Sequence, residues 1–227
     1  MSRLPLLREV SLFSGLSDQQ LQVVADRLRK RTFAKGMILF HKDSPGQSLY
    51  IIESGKVRIF ILSESGQEIS VRIYGCGEVF GELSMLDGLP RSAGAIAMED
   101  TQVLALYRAD FLRLLEELPQ MALGIISTLS GRVRYTTEYA EGLAFLDVYG
   151  RVAKRLLELV ECHGVERDEG AEIELPLTQR ELASLVGTTR ESVNKVLGMF
   201  RDHGLIEVDG QKITILDRQA LKSRILY

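Results

Sequence analysis

At 227 residues, 45% of them hydrophobic, the chain has the apolar material for one large or two ordinary packed domains, which excludes a disordered segment or a fibre. A net charge of −3 excludes a protein that coats nucleic acid through a broad basic surface, so any DNA contact has to be local and directional. Two distant cysteines, Cys76 and Cys162, and three scattered histidines, His41, His163 and His203, offer no metal-ligand spacing; structural thiols and no metal are expected.

No run approaches the roughly 18 apolar residues of a membrane span. The opening MSRLPLLREV also lacks the apolar core and cleavage site of a signal peptide. A cytoplasmic protein with no membrane partner is the expectation. The first predicted element is a short helix in QQLQVVADRLRK, with Ser17 or Asp18 able to cap its free N–H groups. From residue 31 to 107, short β-branched runs alternate with glycines at 36, 46, 55, 66, 75, 77, 81 and 88, the cadence of a small sandwich or barrel. Within it SLYIIESGKVRIFIL reads as a hairpin about Ser54-Gly55, with Leu49, Ile51, Val57, Ile59 and Ile61 on a buried face.

The period then changes to helical. ADFLRLLEEL is one helix, and a second follows Pro119, whose missing N–H suits a helix start. In the second, Ala122, Ile125, Leu129, Val133, Thr136, Ala140 and Leu143 step by three or four residues, the spacing of a coiled-coil seam about 40 Å long at about 1.5 Å per residue. The seam predicts a partner helix in a homodimer; a core helix packed on its own barrel is the alternative. After Asp147, VYGRVAKRLLELVECHG is amphipathic, EIELPL reads as a strand, two helices follow, and LIEVDGQKITIL alternates about Asp209-Gly210 as a hairpin. Together these make a winged helix-turn-helix.

Thr178 and Glu181 form a capping box at the start of the first of the two helices. Gly187 breaks that helix and Thr189 caps the next, which runs to about Asp202. In such units the start of the second helix enters the major groove. Arg190, Glu191 and Lys195 are therefore candidates for base contact, through guanine O6 and N7 for the cations and cytosine N4 for the acid. Thr178, Gln179 and Thr189, at the two helix starts, complete the candidate DNA-binding set. Four cations face three acids between residues 178 and 202, a modest footprint that a protein-docking winged helix would also carry.

Between barrel strands, GEVFGELSMLDGLPRSAGAIA has residue types that suit a sugar phosphate. Gly81 permits close backbone approach, Arg91 pairs with phosphate through its fork, and Ser92 donates a hydroxyl. Glu82 would repel a bare anion, so it implies a donor such as a ribose hydroxyl.

FGELSMLDGLPRSA resembles the phosphate-binding cassette of cyclic-nucleotide-binding domains. With SLYIIESGKV, GLAFLDVYGRVAKRLL and LTQRELASLVGTTRESVNKVL, the chain resembles the cyclic-AMP receptor protein (CRP/FNR) family of bacterial transcription regulators over nearly its full length. The resemblance implies an α+β protein: a cyclic-nucleotide-binding β-barrel of jelly-roll type at 1–117, a dimerisation helix at 118–146 and a winged helix-turn-helix at 147–227. It implies that Glu82 holds the ribose, that Arg91 and Ser92 hold the cyclic phosphate beside the backbone of Gly81 and Leu83, and that Thr136 and Thr137 reach the adenine, one from each subunit.

The implied effector is cyclic AMP (cAMP), and the implied partners are two-fold-symmetric double-stranded DNA and RNA polymerase. Lys195 stands where the family's cyclic-AMP receptor has Arg, which alters the expected half-site because Lys lacks a fixed fork. Thr137 stands where that receptor has Ser, keeping the hydroxyl. A constitutive dimer, or one answering cyclic di-GMP, is the alternative. No enzyme activity is expected, because the glycines of GCGEVFG lie among strands and do not open a βαβ helix.

Overall fold

The computed structural model describes residues 3–64 and 66–225. The chain divides into two compact units: residues up to Gly66 with Val71–Tyr135, and Gln67–Ser70 with the residues from Thr136 onward. No described helix is long and apolar enough to cross a membrane, and no described group of His, Cys, Asp or Glu is placed to hold a metal.

The first unit opens with α1 (Leu4–Glu9), a 3-10 turn (Ser11–Phe13) and α2 (Asp18–Arg27). Ser17 caps α2 in a full capping box with Gln20, satisfying two N–H groups that the first turn leaves without partners. Eight strands follow: β1 (Arg29–Phe33), β2 (Ile38–Phe40), β3 (Ser48–Ser54), β4 (Val57–Leu62), β5 (Glu68–Tyr74), β6 (Val79–Phe80), β7 (Gly94–Ala97) and β8 (Thr101–Tyr107). They form two antiparallel four-stranded sheets, ordered β1-β8-β3-β6 and β2-β7-β4-β5, an open jelly roll. A short helix, α3 (Leu83–Leu86), sits between β6 and β7, and α4 (Arg108–Glu117) follows β8.

The expected hairpin about Ser54-Gly55 is a sheet crossing. β3 pairs with β8 and β6, whereas β4 pairs with β7, so the turn carries the chain from one sheet to the other. Gly55 has φ +89°, and a Cβ there would lie 2.5 Å from Thr101 Oγ1, so the crossing requires glycine. Nor is β3 buried on one face only. Tyr50 and Ile52 join Phe80, Val103 and Ala105 in the inter-sheet core. Leu49 and Ile51 point the other way, into a second core with Phe13, Val24, Phe111, Met121 and Ile125. Helices cover the outer face of this sheet, which is why β3 reads as a continuous apolar run.

The long helix α5 spans Met121–Phe145. Its expected seam is corrected at its N-terminal end: Ile125 is 6% exposed and Leu129 packs on the helix-covered core of the first unit. The outward apolar stripe there is Leu123 and Ile126, 71% and 59% exposed. Further along, Val133, Thr136, Ala140 and Leu143 of the expected seam are all exposed. Gly124, on the inward side, lets α5 approach the backbone of the 3-10 turn; a Cβ would lie 2.3 Å from the Leu12 carbonyl oxygen.

In the second unit, α6 (Val148–His163) starts at Asp147, whose carboxylate accepts from Gly150 N–H. A four-stranded sheet, ordered β11-β12-β10-β9, combines β9 (Gly164–Arg167) and β10 (Gly170–Ile173) with the terminal hairpin β11 (Ile206–Asp209) and β12 (Lys212–Ile215). The expected strand in EIELPL therefore begins earlier and ends at Ile173, and β9 was not foreseen. Leu175 and Leu177 are buried without strand pairing. The helix pair α7 (Gln179–Val186) and α8 (Arg190–Asp202) and a short terminal helix, α9 (Arg218–Lys222), complete the unit. Val152, Leu156, Leu182, Val193, Phe200 and Leu221 form its interior, each 1% exposed or less. A fully buried side chain of this kind contributes about 1.5–3 kcal/mol.

Candidate functional site

The turn from β6 into α3 sets Gly81 and Glu82 in the first unit, and the loop after α3 returns Arg91 to them. Gly81 has φ +78°, and a Cβ on it would lie 2.6 Å from Arg91 Nη1. Arg91 donates from Nη1 to the Gly81 carbonyl at 2.6 Å and from Nη2 to the Ser48 carbonyl at 2.5 Å. Its guanidinium carbon lies 4.2 Å from the Phe40 ring centre. The approach is tight at Gly46 too, where a Cβ would meet Ser84 Cβ at 2.3 Å.

Two polar atoms here are buried without a hydrogen-bond partner among the described residues: Glu82 Oε2, an acceptor, and Arg91 Nε, a donor. Such atoms cost on the order of 1–3 kcal/mol each unless something fills them. Glu82 is 1% exposed and Arg91 3%. Burial pushes the Glu82 carboxyl above the ordinary carboxylate range, against the pull of Arg132 and Arg91. Burial likewise lowers the Arg91 guanidinium, opposed by Tyr50 and Glu82.

Sequence reasoning missed Arg132. This α5 residue donates from Nη1 to Glu82 Oε1 and from Nη2 to the Val79 carbonyl at 2.6 Å. It lies 50 positions from Glu82, and only its place on the inward side of α5, one turn beyond Leu129, could have signalled it. The floor beneath is aromatic: Phe40, Tyr50, Phe80 and Tyr74 stack in succession, with centroids 5.3–6.3 Å apart. Arg91 lies over one end and Arg132, 5.5 Å from Tyr74, over the other. The arrangement offers two cations, one carboxylate and flat apolar faces, which suits a small anion carrying a hydroxyl and a ring.

Of the residues singled out from sequence, Gly81, Glu82 and Arg91 come together. Leu83 begins α3 and is 38% exposed. Ser92 is exposed in the loop before β7. Thr136 and Thr137 stand exposed on α5, in the second unit. Just before them, Tyr135 donates its hydroxyl to the Val71 carbonyl at 3.0 Å.

The second unit places the helix pair as expected. Thr178 and Glu181 make the capping box, Gly187 ends α7 in the left-handed region at φ +71°, and Thr189 caps α8 by accepting from Ser192 N–H. Arg190, Glu191 and Lys195 are all exposed on α8. Arg190 Nε donates to Gln179 Oε1 at 3.4 Å, which ties the two helix starts together. The backbone N–H of Glu191, then the Thr189 hydroxyl, hold the Glu191 carboxylate below its usual range. Asn194, exposed one turn after Arg190, was passed over, although Asn matches the adenine edge. An open hollow of about 400 Å³ is lined by Leu177, Thr178, Gln179, Arg180, Arg190 and the wing turn Gly210-Gln211. That wing turn also went unforeseen as part of this face.

Residues 30–118 match the model of the cyclic nucleotide-binding domain, and residues 150–224 match the Crp-like helix-turn-helix domain. The chain is 34% identical over 211 residues to the Cyclic AMP receptor protein of Thermus thermophilus, across 93% of this chain and 94% of that relative. It is 33% identical over 219 residues to the CRP-like cAMP-activated global transcriptional regulator of Mycobacterium tuberculosis, across 96% and 98%. Among solved structures, the Thermus thermophilus Catabolite Activator Protein matches with a TM-score of 0.56 at 33% identity, covering 95% of this chain and 98% of that one. The c-di-GMP responsive regulator CLP of Xanthomonas campestris matches with a TM-score of 0.80 at 24% identity, covering 88% and 100%, a likeness of fold.

Proposed function

Because the chain belongs to the CRP/FNR family of cyclic-nucleotide-binding transcription regulators, we propose that it is a homodimer activated by cyclic AMP to bind a two-fold-symmetric DNA site. Residues 1–117 act as the sensor, 118–146 as the dimerisation helix and 147–227 as the DNA reader. The observation that carries the effector class is the pair of buried, unpartnered atoms in the cassette, Glu82 Oε2 and Arg91 Nε. A ribose hydroxyl satisfies the first and a cyclic phosphate the second, so the ligand removes a cost already present in the fold.

Gly81, Leu83 and Ser92 serve the phosphate, and Thr136 and Thr137 meet the adenine across the dimer. The outward stripe of α5, with Leu123, Ile126 and Val133 exposed, supports a partner helix. On DNA, Arg190, Glu191, Asn194 and Lys195 face base edges, while Thr178, Gln179 and Thr189 hold the register. The two recognition helices then address half-sites about 34 Å apart, and bound dimers engage RNA polymerase. Ligand and DNA must strengthen one another by the same factor.

The test is calorimetric titration with cyclic AMP, cyclic GMP and cyclic di-GMP, alongside DNA binding to a symmetric site. Selective cyclic-AMP binding that tightens DNA binding is the expected result. Selection of cyclic di-GMP would replace the effector, and binding of none of the three would overturn the sensor role.

A further inference from the structure

Two consecutive turns of α6 carry three cations, Arg151, Lys154 and Arg155, and each donates to a main-chain carbonyl. Arg151 Nη1 reaches the Leu146 carbonyl just past the end of α5 at 2.8 Å, and its Nε reaches the Val186 carbonyl, the last of α7, at 3.2 Å. Arg155 Nη2 takes the Leu185 carbonyl at 3.1 Å, while Nη1 pairs with Glu158 Oε2 at 2.8 Å. Lys154 Nζ donates to the Glu138 carbonyl of α5 at 3.3 Å. Arg155 is 7% exposed, and its guanidinium carbon lies 5.4 Å from the ring centre of Tyr139, also on α5.

The last carbonyls of a helix have no intrahelical donor and form its negative pole, so a cation belongs there. Capping alone would need one donor on one helix. Here the planar fork of Arg151 spans two helix ends, and that of Arg155 ties an α7 carbonyl to an acid of α6 while lying over an α5 ring. The contact continues at the next residue: a Cβ on Gly187 would lie 3.1 Å from Leu143 Cδ2 and 3.6 Å from Tyr139 Oη. The turn that delivers α8 therefore packs on the same stretch of α5 that the two arginines grip through α7.

We propose that Arg151 and Arg155 are positioning residues that lock α7, and with it the turn into α8, to the C-terminal end of α5. A change in α5 is then imposed on the DNA-reading helix as a unit. The reading rests on the proposed function only for the identity of the signal; the mechanical claim stands apart from it.

Both are tested in full-length dimer with Cys76 and Cys162 replaced by serine and spin labels placed at the exposed positions 141 on α5 and 201 on α8. Wild type should give a narrow intrachain distance distribution, and R151M/R155M a broad one. R155K, which keeps the charge but loses the fork, should fall between, and it decides the matter if the double variant does not fold. In parallel, R155M should bind cyclic AMP within about twofold of wild type, while the ratio of DNA affinities with and without cyclic AMP falls at least tenfold. Unchanged distance distributions in the variants would overturn the clamp. Absence of any cyclic-AMP effect on DNA binding by wild type would overturn the effector, leaving the distances to decide the clamp.

Discussion

The sensor cassette and the DNA-reading helices both gather charged side chains, but they treat them in opposite ways. In the cassette, Glu82 and Arg91 are sunk to 1% and 3% exposure, and each keeps one polar atom unmatched among the described residues. On α8, Arg190, Glu191 and Lys195 stand in solvent, above helix starts whose N–H groups are closed by Thr178, Glu181 and Thr189. On the proposed function, a small ligand is selected by a buried deficit that only the right donor and acceptor fill. A duplex is met by a finished surface, where the cost of holding the side chains has already been met by caps and packing.

The contrast breaks first at Arg91. R91L should cost about 2–5 kcal/mol of cyclic-nucleotide affinity by calorimetry while leaving salt-dependent, non-specific DNA binding in place. Loss of both together would mean that the two regions are not separable. R190A should do the reverse, costing about 1–3 kcal/mol in DNA binding and relaxing specificity at one base position, with ligand affinity unchanged. G187A tests the frame behind the surface: a left-handed residue given a Cβ, 3.1 Å from Leu143, should lower stability by about 1–2 kcal/mol in denaturant titration. T178A removes a cap and should cost about 1 kcal/mol in the same measurement.

The smallest effect concerns pH. Burial raises the Glu82 carboxyl above 4.5, its ordinary value, so the folded chain holds that proton to higher pH than the unfolded chain does. Stability from this group is therefore present below the ordinary value and is lost as pH rises through the raised one. The stability difference between wild type and E82Q should fall with rising pH across that window; a flat difference would mean that Glu82 is not desolvated.

Short-range chemistry was the most legible part of the sequence. The box at Thr178 and Glu181, the cap at Thr189, the break at Gly187 and the Asp209-Gly210 hairpin depend on neighbours within a few residues, and they stand where local rules put them. The apolar runs on either side of Ser54-Gly55 also located β3 and β4, but the one-sided burial expected from period-two alternation fails for β3, which is buried on both faces. Such runs say nothing about which strand pairs with which, so the crossing at Gly55 reads as a hairpin. The seam of α5 failed at its start for a related reason. Ile125 and Leu129 are apolar whether they face a partner or their own core, and only the packing separates the cases. Arg132 could not be found from the cassette at all, because its tie to Glu82 spans 50 positions.

The double-sided burial of β3 also bears on how the sensor works. Tyr50 belongs to the aromatic floor under the cassette, while its neighbours Leu49 and Ile51 press on the core that holds Met121 and Ile125 of α5. The strand is thus a partition one backbone thick, with the aromatic floor of the candidate site on one side and the root of the long helix on the other. One strand therefore carries both the aromatic floor and the packing surface for the first turns of α5.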